Sequence, residues 1–183
     1  MTDDLPLRLS EDLERAFPDV VATYQHAIFT TALRMSDRPE DAADAAAEVF
    51  LRAYSALRGY PAERIGQLQL RPWLVTIALN LLRNEARAAS RRPAHVALAG
   101  EAPVDDGREG PEEQAQRHDG QARLGGLLTE LPERQRTAVV LRHVVGLPYA
   151  ELAVAMGCPV GTAKSHVTRG LQRLRARITE ETR

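Results

Sequence analysis

The sequence predicts an all-α protein: two small helical domains joined by a flexible acidic linker. Three observations carry this prediction. The chain is rich in alanine, leucine and arginine, the strongest helix formers, and only 4% aromatic. Apolar residues recur at helical spacing in both halves. Between the halves, residues 93–122 lose that spacing and fill with proline, glycine and acids. A chain of 183 residues accommodates one medium domain or two small ones. The expected boundaries are therefore 1–92, linker 93–122, and 123–183.

The first helix is expected in FPDVVATYQHAIFTTALRM, which sets Val20, Val21, Tyr24, Ile28, Thr31 and Met35 on one face. Pro18 is expected in its first turn, where a missing N–H costs nothing. A second helix follows SDRPED, with Pro39 and the acids Glu40 and Asp41 at its positive end. Its apolar face is Ala42, Ala46, Val49, Phe50, Ala53 and Leu57. LRGYPAERIGQLQLRP, with its glycines and prolines, reads as a loop. A third long helix begins at WLVTIAL, with Trp73, Leu74, Ile77, Ala78 and Leu81 facing inward. Arg83, Arg87 and Arg91 recur every four residues and form one stripe.

In the second domain, LPERQRTAVVLRHVVG reads as a helix with Pro132 in its first turn and Gly146 at its end. PYAELAVAMG is a short helix closed by Gly157, and PVGTAKSHVTRGLQRLRARI is a longer one. The GCP between them gives helix-turn-helix form. Gly157 supplies the left-handed backbone of a tight turn, and Ala153 is small where helices cross. Leu152, Met156, Val160, Ala163 and Val167 are expected to share a core. At 100° per residue this turns Gly161, Thr162, Ser165, Thr168, Arg169 and Gln172 outward, with Lys164 and His166 on the flanks. A recognition helix lays such a face in the DNA major groove. Short Ser165 and Thr168 let the backbone approach base edges, and Arg169 and Lys164 reach guanine or phosphate. Arg173, Arg175 and Arg177 lie further along, where phosphates are the expected partners.

The net charge of −1 conceals an uneven distribution. Glu101, Asp105, Asp106, Glu109, Glu112, Glu113 and Asp119 crowd the linker, whereas the second domain is basic. Cys158 is the one cysteine, so no intramolecular disulfide forms and a reducing compartment fits. No signal-like N-terminus and no apolar run long enough to span a membrane are present, so a cytoplasmic location is expected. His26, His95, His118, His143 and His166 are scattered, and no phosphate loop, metal spacing or nucleophile motif occurs. The expectation is a protein that is not an enzyme and holds no cofactor and no metal.

LTELPERQRTAVVLRHVVGLPYAELAVAMGCPVGTAKSHVTRGLQRLRARI resembles region 4 of an extracytoplasmic-function RNA polymerase sigma factor. RPEDAADAAAEVFLRAYSAL followed by RPWLVTIALNLLRNEAR resembles region 2 of the same family, in the family's order. The resemblance implies the promoter-recognition subunit of bacterial RNA polymerase. Region 2 would bind the clamp helices of the core enzyme and melt the minus-10 element. Region 4 would read duplex minus-35 DNA and touch the polymerase flap, and the linker would thread toward the active-site cleft. An anti-sigma factor is a common further partner in the family.

Carried over by residue, the resemblance puts Asp44, Ala47, Glu48 and Phe50 on the core-binding helix, with Ala47 where the family has glutamine. It puts Trp73 and Asn80 on the promoter-melting helix, with Asn80 near an extruded base. Tyr60, Gln67, Gln69 and Arg71 would supply stacking and polar groups for that base. Arg83, Asn84 and Arg87 would complete the minus-10 face, the arginines tracking phosphates. Thr162, Lys164, Ser165, His166, Thr168, Arg169 and Arg173 would form the minus-35 face. Pro148 stands where the family has a capping serine, so the capping box to Glu151 is lost. The competing reading is a stand-alone helix-turn-helix regulator that binds duplex DNA as a dimer. The Trp73 helix and its arginine stripe argue against it, because a dimerisation domain needs neither.

Overall fold

The computed structural model describes residues 4–36, 41–89 and 123–181, and helices are the only regular elements among them. The predicted linker and Arg91 lie outside the described residues. Helix α1 (Leu5–Glu11) buries Leu5 and Leu9 and ends at Asp12. That same Asp12 caps α2 (Leu13–Met35), its side chain accepting from the Arg15 amide. Because α2 starts there, Pro18 sits inside the helix and not in its first turn. Having no N–H, Pro18 cannot bond the Glu14 carbonyl, a loss the rest of this 23-residue helix absorbs. Val20, Tyr24, Ile28, Thr31 and Met35 are buried as expected, while Val21 is half-buried. The fully buried Thr31 hydroxyl donates to the Ala27 carbonyl at 2.8 Å, so it carries no unsatisfied polar group into the core.

Helix α3 (Ala42–Arg58) buries the whole predicted face from Ala42 to Leu57. The segment expected to be a loop contains a short helix, α4 (Ala62–Gly66), anchored by buried Ile65 and packed on α1. Helix α5 (Leu70–Ala89) begins earlier than predicted and takes Pro72 into its first turn. Its buried residues are Leu70, Leu74, Val75, Ala78, Leu79, Leu81 and Leu82. Trp73 and Ile77, expected inside, are only half-buried. Helix α5 packs against α2 and α3 and also against α8 of the second unit, so its buried band is wider than the predicted one.

The second unit opens with helix α6 (123–129), which buries Leu127 and Leu128. Pro132 caps α7 (Glu133–Val139) from outside, and not in the first turn. The chain then widens into a π turn, Val140–Val144, and closes at Gly146 with φ 77°. Helix α8 (Tyr149–Met156) and helix α9 (Val160–Glu181) follow. Gly170 is the crossing point of α9 over α7: a Cβ there would lie 2.6 Å from Val139 Cγ2 and 3.3 Å from the Gln135 carbonyl.

Candidate nucleic-acid interface

Gly157 adopts φ 59°, ψ 43°, the left-handed conformation expected at the turn, and the Cys158 amide donates to the Ala153 carbonyl at 3.0 Å. Cys158 is half-buried. Leu152, Ala153, Met156, Ala163 and Val167 are buried under the turn. Val160, placed in that core by its spacing, is 42% exposed, because it is the first helical residue and lies beyond the crossing. The complementary face is open: Gly161, Thr162, Lys164, Ser165, Thr168, Arg169, Gln172 and Arg173 are all exposed. His166 is half-buried, its Nδ1 buried with no hydrogen-bond partner among the described residues.

Two residues that sequence reasoning overlooked shape this face. The Tyr149 ring lies 5.5 Å from Lys164 Nζ and 4.9 Å from the Arg142 guanidinium carbon. Arg142 also donates to the Leu147 carbonyl at 3.0 Å. Nothing in the spacing of Arg142, Tyr149 and Lys164 announces this, since they come from the π turn, α8 and α9. Pro148 caps α8 without a side-chain bond, and Glu151 Oε2 is buried without a hydrogen-bond partner among the described residues. This is the structural consequence of the missing capping serine.

On the first unit, Trp73, Ile77, Asn80, Asn84 and Arg87 fall on one face of α5 by their spacing. Asn80, Asn84 and Arg87 are exposed along it. The half-buried Tyr60 ring sits 6.2 Å from the Trp73 ring, and the Arg64 guanidinium stacks 3.7 Å above it. Gln67 and Gln69 are exposed beside them. Arg71 and Arg83 diverge from this face. Arg71 donates to the Val145 carbonyl, and Arg83 Nε meets Glu133 Oε1 at 2.8 Å, both partners belonging to the second unit. On α3, Asp44 and Ala47 are exposed and Glu48 pairs with Arg52 at 2.7 Å. Phe50 is buried, and it lines a groove together with Val21, Phe29 and Ala46. It therefore contributes to core packing more than to surface. Burial pushes the Glu85 carboxyl up, and Asp41 and Glu48 add to the rise while Arg52 opposes it. No group of His, Cys, Asp and Glu able to hold a metal gathers among the described residues. No helix among them is long and apolar enough to cross a membrane.

Comparison with known proteins matches both units. The family described as Sigma-70 region 2 matches residues 20–92, and Sigma-70 region 4 matches residues 121–174. The RNA polymerase sigma-H factor of Pseudomonas aeruginosa is 34% identical over 169 residues, which is 88% of this chain and 86% of that protein. The ECF RNA polymerase sigma-E factor of Escherichia coli is 31% identical over 169 residues, with the same coverage of 88% and 86%. Among solved structures, CnrH in complex with the cytosolic domain of CnrY superposes with a TM-score of 0.72 at 23% identity, over 97% of both chains. RpoE of Bartonella quintana, in complex with the anti-sigma factor NepR, gives 0.67 at 21%, over 89% of this chain and 96% of that one. These two show a shared fold.

Proposed function

Because the chain belongs to the extracytoplasmic-function RNA polymerase sigma factors, we propose a division of its work between the two units. The second unit, 123–183, reads duplex minus-35 DNA. The first, 1–92, docks on the clamp helices of core RNA polymerase and opens the minus-10 element, and 93–122 connects them. The protein acts in the cytoplasm, by binding and not by catalysis.

The observation that carries this reading is the outward face of α9. Its inner residues are buried in the turn's core, while Thr162, Lys164, Ser165, Thr168 and Arg169 stand exposed together at its N-terminal half. That half of a recognition helix meets base edges. Arg169 and Lys164 suit guanine or phosphate, Ser165 and Thr168 allow close approach, and Arg173 suits the backbone. On α5, Asn80 reads the edge of an extruded base, Trp73 and Tyr60 provide stacking surface, and Asn84 and Arg87 follow the strand. Asp44, Ala47 and Glu48 present the polymerase-facing side of α3. The polymerase flap is the second contact on core enzyme. An anti-sigma factor is a further partner, as NepR is for the Bartonella quintana protein.

Lys164 tests the placement directly. It is the one lysine in the sequence, so an amine reagent reports on it and the N-terminal amine alone. Modification of Lys164 is expected to slow when promoter DNA is bound together with core polymerase. Unchanged reactivity in that complex places the recognition face elsewhere.

A further inference from the structure

One face of the Tyr60 ring, assigned above to stacking, is already covered. The Tyr60 amide donates to the Leu57 carbonyl at 3.1 Å, which fixes the residue just past the end of α3. Pro61 then caps α4, and its carbonyl accepts from the Arg64 and Ile65 amides at 3.0 Å and 3.2 Å. Ile65 is buried, so this short helix is pinned and Arg64 is carried back over the ring. The Arg64 guanidinium carbon lies 3.7 Å from the ring centroid. Carbons pack best at about 3.5–4.0 Å, so no base fits between the two groups. Trp73 stands against the same ring, with centroids 6.2 Å apart and planes tilted by 56°.

Arg64 is exposed, and its side chain makes no hydrogen bond or ion pair among the described residues. Its sequence neighbour Glu63 is exposed as well and does not pair with it. Arg71, the other arginine of residues 59–71, donates to the Val145 carbonyl. Arg64 is therefore the cation of this segment that lies on the ring with its outer side open to solvent. A guanidinium is planar, delocalised and weakly hydrated, so its free face can stack on a base while the N–H groups at its rim stay open to a phosphate. An ammonium has no such face.

We propose that Arg64 belongs to the extruded-base site as its outer stacking layer. The base lies on the guanidinium, the guanidinium lies on Tyr60, and Trp73 backs the ring from α5, the helix that also carries Asn80. Stacking of this kind is indifferent to which base is extruded, so Arg64 holds the base and Asn80 reads its edge. The proposal rests on the reading of the first unit as the one that opens the minus-10 element.

The test removes the two halves of the stack separately. The full chain is assembled with core polymerase on promoter DNA left unpaired across the minus-10 element. Binding is compared between DNA with every base present and DNA carrying an abasic site at each minus-10 position in turn. Arg64→Lys keeps the charge and loses the plane. It is expected to weaken binding of the complete DNA about five- to tenfold, within the range for one stacked base. On DNA abasic at one particular position it is expected to cost less than about twofold, because the contact is already gone. Arg64→Ala, which removes plane and charge together, is expected to lose at least as much as Arg64→Lys on the complete DNA. Complete DNA bound by Arg64→Lys as tightly as by the unaltered chain overturns the proposal, because a point charge then suffices. Equal losses on complete DNA and on every abasic DNA overturn it too, as does a milder loss from Arg64→Ala than from Arg64→Lys. An unaltered complex that binds complete and abasic DNA alike at every minus-10 position overturns the proposed function instead.

Discussion

At the scale of single residues, exposure separates the proposed DNA readers from the side chains that support them. Arg169 stands free on the outer face of α9, whereas Lys164 is steadied by the Tyr149 ring 5.5 Å away. If Arg169 reads a guanine, Arg169→Ala is expected to cost about 1–3 kcal/mol and to relax specificity at one base pair. Binding measured across a set of single-base promoter variants checks this, and a uniform loss over all variants identifies a phosphate contact instead. Glu85 carries a different prediction. Burial first, then Asp41 and Glu48, raise its folded-state pKa above the ordinary value, so folding favours the protonated form. That favourable contribution is fully present below the ordinary value and is lost as pH rises through the folded one. Glu85→Gln is therefore expected to raise the urea midpoint relative to the unaltered chain near pH ~7, with the advantage shrinking toward pH ~4. An advantage that grows on acidification contradicts the assignment. Exposure was legible from sequence where a side chain answers to its own helix, as along α9 past Val160. The roles of Glu133 and Tyr149 were not, because they depend on which other element lies opposite.

At the scale of elements, the strong amphipathic helices were legible and the punctuation was not. The face of α3 follows from spacing alone, and so does that of α9 apart from Val160, because each is covered on one side. Helix α5 was harder: covered by α2, α3 and α8 together, it buries Val75, Leu79 and Leu82 beyond the expected set. Helix α4 is five residues long, too short for periodicity to reveal, and its glycines and prolines read as loop. Helix α1 was hidden for the same reason. The π turn at Val140–Val144 left no mark in the sequence at all. The start of α8 shows what a local signal does convey. Pro148 offers neither a side-chain acceptor nor an N–H, and Glu151 keeps a buried oxygen with no hydrogen-bond partner among the described residues. Pro148→Ser restores both halves of the capping box and is expected to stabilise the protein by about 0.5–1 kcal/mol after the lost rigidity of proline is counted. Thermal unfolding measures it, and a lowered midpoint means that Glu151 is held in another role.

At the scale of the molecule, the proposed function divides one task between the two units, groove reading in the second and strand opening in the first. The two family regions were readable from their motifs, but the seam joining the units was not. It depends on contacts such as Arg71 to Val145 and Arg83 to Glu133, which are remote in sequence. The measurement that bears most directly on the whole is single-strand probing of promoter DNA with and without core polymerase, for the unaltered chain, Asn80→Ala and Arg169→Ala. Alone, the chain is expected to bind duplex promoter weakly. With core polymerase it is expected to make bases near the minus-10 element reactive at a defined site. Asn80→Ala is expected to impair this opening more than initial duplex binding, and Arg169→Ala to do the reverse, because the proposed function assigns base extrusion and groove reading to different units. A palindromic footprint from the isolated protein, with half-sites about one helical turn apart and no opening when core polymerase is added, would contradict the account.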